Sequence, residues 1–93
     1  MIHAAPGDVE VALQETPATG YRWEAYDLPA GVTEAGARFE LSAGQPPSPG
    51  AGGIRVLRFH VAAPGVYEVK IRLKRSWERD PIQSKTVRLV IAD

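Results

Sequence analysis

The sequence predicts an all-β protein with the architecture of an immunoglobulin-like antiparallel β-sandwich. Short runs in which apolar and polar residues alternate recur along the 93 residues, and this period of two is typical of strands with one buried face. Turn-forming residues separate the runs. No run has a convincing helical period, so nothing predicts the crossovers that join parallel strands, and an antiparallel sandwich follows.

The first two strands are predicted at residues 9–14 and 21–26. In residues 9–14, which follow the Pro6-Gly7 pair, valine and leucine alternate with glutamate, alanine and glutamine. In residues 21–26 the aromatic side chains favour a pleated surface over a helix, and we expect Tyr21 and Trp23 to face the core.

The middle of the chain is less regular. The turn-rich segment Leu28-Pro29-Ala30-Gly31 leads into a short extended piece at residues 32–35, and a separate strand is predicted at residues 37–41. Residues 42–53 contain three prolines and four glycines, which resist helix and ladder formation, so we expect a long exposed loop. A loop of this length in a compact domain indicates either disorder or binding.

The second half of the chain predicts three further strands, at residues 54–62, 67–74 and 87–91. A tight Ala63-Pro64-Gly65 turn separates the first two, and residues 77–83 break the alternation before the last. The basic residues of these strands are most simply explained as lying on solvent-exposed strand faces: Arg55, Arg58, Lys70, Arg72 and Lys74.

Composition limits the classes of function. The length fits one domain over residues 1–93, and the 11 basic and 11 acidic side chains give no global field for nucleic acid or an anionic membrane. Cysteine is absent, which excludes disulfides, thiol catalysis and cysteine-ligated zinc. No apolar stretch approaches the ~20 residues of a membrane span, and the chain as given lacks a signal peptide, so we expect a soluble protein, either cytoplasmic or a mature exported form.

Catalytic and metal-binding chemistry is not predicted. His3 and His60 are far apart in sequence and have no cysteine partners, which argues against a zinc site. Ser76, Ser84, His60 and Asp80 could be drawn into a nucleophilic triad on paper, but no nucleophile elbow supports one. The sequence therefore predicts neither an enzyme nor a cofactor.

The connections between strands fall into two groups. If each strand crosses the sandwich once, residues 16–20, 42–53 and 76–83 emerge at one end, and residues 27–36 and 63–65 emerge at the other. The first group contains the unusual residues, including Trp77, which lies among charged neighbours and is expected to be exposed. A rigid sandwich with three loops at one end is a ready recognition surface.

These loops carry a family resemblance. They read Thr16-Pro17-Ala18-Thr19-Gly20 followed by Tyr21 and Trp23, then Gly50-Ala51-Gly52-Gly53, then Arg75-Ser76-Trp77. In content and order, over essentially the full chain, they resemble the loops of the chagasin-like inhibitors of papain-type cysteine peptidases, which read Asn-Pro-Thr-Thr-Gly with Tyr-x-Trp, Gly-x-Gly-Gly, and Arg-Pro-Trp.

The resemblance implies a reversible, noncovalent inhibitor whose three loops enter the peptidase cleft, with the first loop over the catalytic cysteine and histidine. It implies no catalytic residue and no cofactor, and a monomer is the simplest expectation. The implied contact residues lie in the three loops: Thr16, Pro17, Ala18, Thr19, Gly20, Gly50, Ala51, Gly52, Gly53, Arg75, Ser76 and Trp77.

Three positions depart from the family pattern. Thr16 replaces an asparagine that would brace the loop, Ala18 replaces a threonine that would present its hydroxyl to the catalytic pair, and Ser76 replaces a proline. These departures motivate an alternative, a noncatalytic immunoglobulin-like interaction module that uses the same loops for another protein. A single-stranded nucleic-acid binder is a third possibility, because Trp77 lies between basic residues.

Overall fold

The computed structural model describes residues 1–41 and 52–93 and confirms the all-β prediction. Its seven strands are β1 Ile2–Ala4, β2 Gly7–Glu15, β3 Tyr21–Asp27, β4 Val32–Leu41, β5 Gly53–Val61, β6 Gly65–Arg75 and β7 Gln83–Ile91. A single 3₁₀ turn, Pro17–Thr19, is the helical structure in these ranges. None of the residues so described forms a helix long and apolar enough to cross a membrane.

The strands form two sheets. One has the order β1-β7-β6-β3 and the other β2-β5-β4. All pairings are antiparallel except that of β1 with β7, which is parallel. The predicted antiparallel sandwich is therefore confirmed, with one parallel edge pair that the sequence did not indicate.

The missed strand β1 is short. Ile2 lies opposite Leu89, and Ala92 N donates a hydrogen bond to Ala4 O at 3.0 Å. Three residues cannot display a period of two, so the alternation had no signal here.

The prediction of two separate pieces at residues 32–35 and 37–41 was wrong, because β4 is one continuous strand. Its register to β5 shifts between Glu34 and Gly36, as expected for a β-bulge, and Gly36 has a φ of +145°. The extra residue interrupts the alternation without ending the strand. β7 also begins earlier than predicted, since Gln83 and Lys85 lie opposite Leu73 and Ile71 and continue the ladder.

The core lies between the sheets and is built from the inward residues of the alternating runs. Trp23 is buried as predicted, whereas Tyr21 is only half-buried, so its placement in the core was wrong. Burying a large apolar side chain stabilises a fold by about 1.5–3 kcal/mol. The buried cluster comprises Val9, Val11, Leu13, Trp23, Val32, Leu57, Phe59, Val61, Val69, Ile71, Leu89 and Ile91.

Register brings the predicted loops to one end. Glu15 and Leu41 both lie opposite Gly53, and in the other sheet Tyr21 lies opposite Arg75. The prediction that these connections share an end is therefore confirmed for the part of the chain that the structure describes.

We call this the loop end: residues 16–20, residues 76–82, and the strand ends Leu41 and Gly53. The opposite end carries residues 28–31 and 62–64.

The outer face of the three-stranded sheet is held by an ion pair. Arg38 reaches across the buried Val56 to bind the carboxylate of Glu10 and also bonds Glu40. The hydrogen bond from Arg38 lowers the pKa of Glu10, and the bonds to Glu10 and Glu40 raise the pKa of Arg38. Because the folded pKa of Glu10 is depressed, this contribution to stability is present above the unfolded pKa and is lost as the pH falls through the folded value.

Candidate functional site

The first loop is ordered by its own hydrogen bonds. Residues Pro17–Thr19 form the 3₁₀ turn, in which Thr19 N donates to Thr16 O at 3.1 Å. The Thr19 hydroxyl donates to the same Thr16 oxygen at 2.7 Å and accepts from Tyr21 N at 3.3 Å. Ala18 and Thr19 are exposed at the tip of this turn. The loop therefore presents a fixed backbone whose threonine hydroxyl is bonded within the loop.

Gly20 brings the first loop against the third. Its φ is +81°, a region that side chains rarely adopt, and a Cβ placed there would lie 2.8 Å from Trp77 Cη2. The glycine is required both for the exit into β3 and for this close approach to the indole.

Arg75 ties the same two loops together. Its Nε donates to Thr19 O at 2.8 Å, and its guanidinium lies over the ring of Tyr21, 4.3 Å from the centroid. The guanidinium is also 5.8 Å from the ring of Trp77, and Nη1 is 3.5 Å from Glu78 Oε1. The family resemblance implied that Arg75 contacts a partner, and the structure adds a bracing role between the first and third loops. That role also explains why Tyr21 is half-buried.

The third loop holds Trp77 out in solvent. Trp77 is 73% exposed, as predicted, and Ser76 before it is exposed as well. The turn is fixed by the bonds from Glu78 N to Arg75 O at 3.1 Å and from Lys74 Nζ to Glu78 O at 2.7 Å. These bonds constrain the loop although serine stands where the family pattern has proline.

The middle loop is described only in part. Gly50 and Ala51, both predicted contact residues, lie outside the described residues. Gly52 lies near the first loop, since a Cβ on it would be 3.6 Å from Thr16 Oγ1. Gly53 is buried at the start of β5, where a Cβ would collide with the backbone oxygen of Glu40. Packing against β4 therefore requires glycine at position 53, independently of any contact with a partner.

A buried polar network that the sequence analysis missed lies beneath the loops. Glu15 is 5% exposed; its Oε1 accepts from Trp23 N at 2.8 Å, and its Oε2 accepts from Arg55 Nε at 3.0 Å and Nη2 at 2.7 Å. The side chain of Arg55 is 14% exposed and lies over the ring of Phe39, so its assignment to a solvated face was wrong. A signal existed, because continuing the alternation from residues 9–13 places Glu15 inward.

The site has the chemistry of a recognition surface. Residues 16–20, Gly52 and residues 75–77 meet at one surface made of ordered backbone, one exposed indole and a braced guanidinium. Within residues 1–41 and 52–93 no group of three or more histidine or carboxylate side chains could hold a metal ion. What this surface offers a partner is shape, an aromatic anchor and backbone hydrogen-bonding groups.

Comparison with known proteins agrees with the loop motifs. A family model described as Chagasin family peptidase inhibitor I42 matches residues 5–91. The chain belongs to the chagasin family. The resemblance seen in the sequence is thereby confirmed, and membership makes the protein a peptidase inhibitor rather than an enzyme, with a cysteine peptidase as its partner.

Solved structures are similar over the whole fold. The cysteine protease inhibitor EhICP2 from Entamoeba histolytica superposes with a TM-score of 0.74 at 22% identity, covering 98% of this chain and 85% of that one. Amebosin superposes with a TM-score of 0.68 at 22% identity, covering 97% and 84%. At this identity the likeness shows the fold. No curated protein sequence gives a significant match.

Proposed function

We propose that the protein is a reversible, noncovalent inhibitor of papain-like cysteine peptidases that inserts the loop end into the active-site cleft. The proposed contacts are Thr16, Pro17, Ala18, Thr19, Gly20, Gly50, Ala51, Gly52, Gly53, Arg75, Ser76 and Trp77. We further propose that residues 1–93 form one domain and that it acts as a monomer.

The observation that carries this proposal is the exposed Trp77 held against an ordered first loop. A 73% exposed tryptophan is an unused apolar surface of the kind that dominates binding hot spots. The bond from Arg75 to Thr19 and the contact with Gly20 order this surface before binding, so docking costs less conformational entropy.

The departures from the family pattern change which chemical groups the first loop presents to the peptidase. Ala18 offers a methyl group at the exposed tip, and the Thr19 hydroxyl is already bonded to Thr16 O and Tyr21 N. The loop would therefore meet the catalytic cysteine and histidine with backbone and methyl groups. Loss of one buried polar contact costs roughly 1 to 3 kcal/mol, which favours moderate over extreme affinity.

The direct test is titration of the purified protein into papain and, separately, cathepsin L, with a fluorogenic substrate that reports residual activity. Competitive inhibition below micromolar concentration is the expected result. A folded protein that leaves both enzymes fully active at high micromolar concentration would contradict the papain-like assignment and favour the interaction module.

A further inference from the structure

On the outer face of the four-stranded sheet, charged side chains of neighbouring strands lie opposite one another, and each such cross-strand pair forms one row. Three rows join opposite charges directly across the strands: Glu24 with Arg72 at 2.7 Å, Asp27 with Lys70 at 3.8 Å, and Glu68 with Arg88 at 3.3 Å. Opposite charges in this position stabilise a sheet, so the pattern has a structural reason in these rows.

The fourth row breaks the pattern. Arg22 of β3 lies directly opposite Lys74 of β6, and like charges in this position destabilise a sheet. In the ranges 1–41 and 52–93 neither cation lies within 4 Å of a carboxylate. Lys74 Nζ donates one hydrogen bond, to Glu78 O at 2.7 Å, which leaves two of its three donors for a partner.

This row lies at the loop end, beside the proposed contact surface. Arg22 and Lys74 line a recess of about 340 Å³ that Gly20, Ser76 and Trp77 close on the side of the loops. The acidic residue in its lining, Glu24, is already bonded to Arg72. The recess therefore presents two cations next to an exposed indole.

We propose that Arg22 and Lys74 form a specificity site for an aspartate or glutamate side chain on the rim of the target peptidase's cleft. This inference rests on the proposed function, since it needs Trp77 docked on that rim. An arginine fork can bind a carboxylate through two hydrogen bonds, and the indole would shield the contact from water. The same pair would repel a basic rim, so it would select among peptidases.

The test compares two variants that lose the same charge. Arg22→Gln with Lys74→Gln neutralises the proposed site, and Lys70→Gln with Arg88→Gln removes two cations from the same sheet face far from Trp77. Inhibition constants are measured against a papain-like peptidase that the wild type inhibits, and against forms of that peptidase with each rim aspartate or glutamate changed to its amide.

We expect the first variant to inhibit at least tenfold more weakly than the second. One amide change in the peptidase should weaken the wild type at least fivefold and leave the Arg22→Gln, Lys74→Gln variant nearly unaffected. Arg22→Gln alone, which keeps the bond from Lys74 Nζ to Glu78 O, should raise Tm by about 2 to 5 °C because it relieves the like-charge repulsion.

Other outcomes overturn the inference in distinguishable ways. If both variants inhibit like the wild type, and no amide change in the peptidase weakens the wild type, the specificity site is contradicted. The proposed function would still stand. A wild type that inhibits no papain-like peptidase would overturn both. Binding of a single-stranded oligonucleotide at low salt that the Arg22→Gln, Lys74→Gln change abolishes would assign the pair to phosphate groups instead.

Discussion

At the opposite end of the sandwich the chain turns back through short segments held by single hydrogen bonds. Val32 N donates to Pro29 O at 3.2 Å, and the Tyr67 hydroxyl donates to Ala63 O at 2.9 Å. The core reaches this end, where Val61 is fully buried. At the loop end the restraints instead join side chains and loops that are distant in sequence.

The loop end is held by polar contacts between residues distant in sequence, whereas the opposite end is held by the core and by local hydrogen bonds. Glu15 links β2 to Trp23 in the other sheet and to Arg55, and Arg75 links the third loop to Thr19 in the first. Because of this difference, the recognition surface is ordered and still exposed. Packing would have ordered these loops by burying Trp77, whereas hydrogen bonds from beneath leave the indole free for a partner.

The largest expected effect concerns the buried network at the loop end. Glu15→Gln removes the charge that Arg55 pairs with while nearly preserving side-chain shape, and breaking a buried pair in this way costs about 3 kcal/mol of unfolding free energy. Urea denaturation measures the loss. The matched control, Glu68→Gln in the exposed pair with Arg88, should lose about 0.5 kcal/mol. Equal losses would mean that the loop end has no special polar restraint.

The next effect separates binding from stability. Trp77→Ala should weaken inhibition more than tenfold, because it removes an exposed aromatic anchor, and should shift Tm by less than about 3 °C, since the side chain buries little surface. Enzyme titration and thermal denaturation measure the two. An unchanged inhibition constant would remove the third loop from the proposed contact surface.

A smaller effect isolates the brace between loops. Arg75→Lys keeps the positive charge but loses the fork that bonds Thr19 O while stacking on Tyr21. We expect inhibition to weaken about three- to tenfold, with a stability loss of about 1 kcal/mol. If the lysine variant inhibits like the wild type, the bracing geometry of Arg75 does not contribute to inhibition.

The smallest effect lies at the opposite end. Tyr67→Phe removes the hydroxyl that bonds Ala63 O, and an exposed hydrogen bond of this kind contributes about 0.5–1 kcal/mol to unfolding free energy. The inhibition constant should not change, because the turn lies at the far end from the loops. A weaker inhibitor would show that the two ends are not independent.

Much of the fold could be predicted from the sequence because it depends on alternation. Strands β2, β3, β5 and β6 begin and end within about two residues of the prediction, since each has one buried face. β4 was split because a bulge at Gly36 shifts the alternation, and β1 is too short to alternate. These failures come from local geometry that a period of two does not encode.

The sequence motifs predicted which loops form the candidate site, but not the hydrogen bonds and ion pair that hold those loops in place. The position of the loops and the exposure of Trp77 follow from strand counting and from charged neighbours. The Arg75 bond to Thr19 and the buried pair of Glu15 with Arg55 join residues 56 and 40 positions apart, and nothing local indicates such partners. Long-range polar pairing is set by the register between strands, which becomes visible only in the folded chain.

The most direct test of the central claim, that the loop end alone meets the peptidase, is amide hydrogen exchange of the protein free and bound to papain. Exchange should slow at Thr19, at Tyr21 and around Trp77, while the amides of Val32 and Val66 at the opposite end should exchange at unchanged rates. Slowing centred on the opposite end, with the loop end unchanged, would contradict the account.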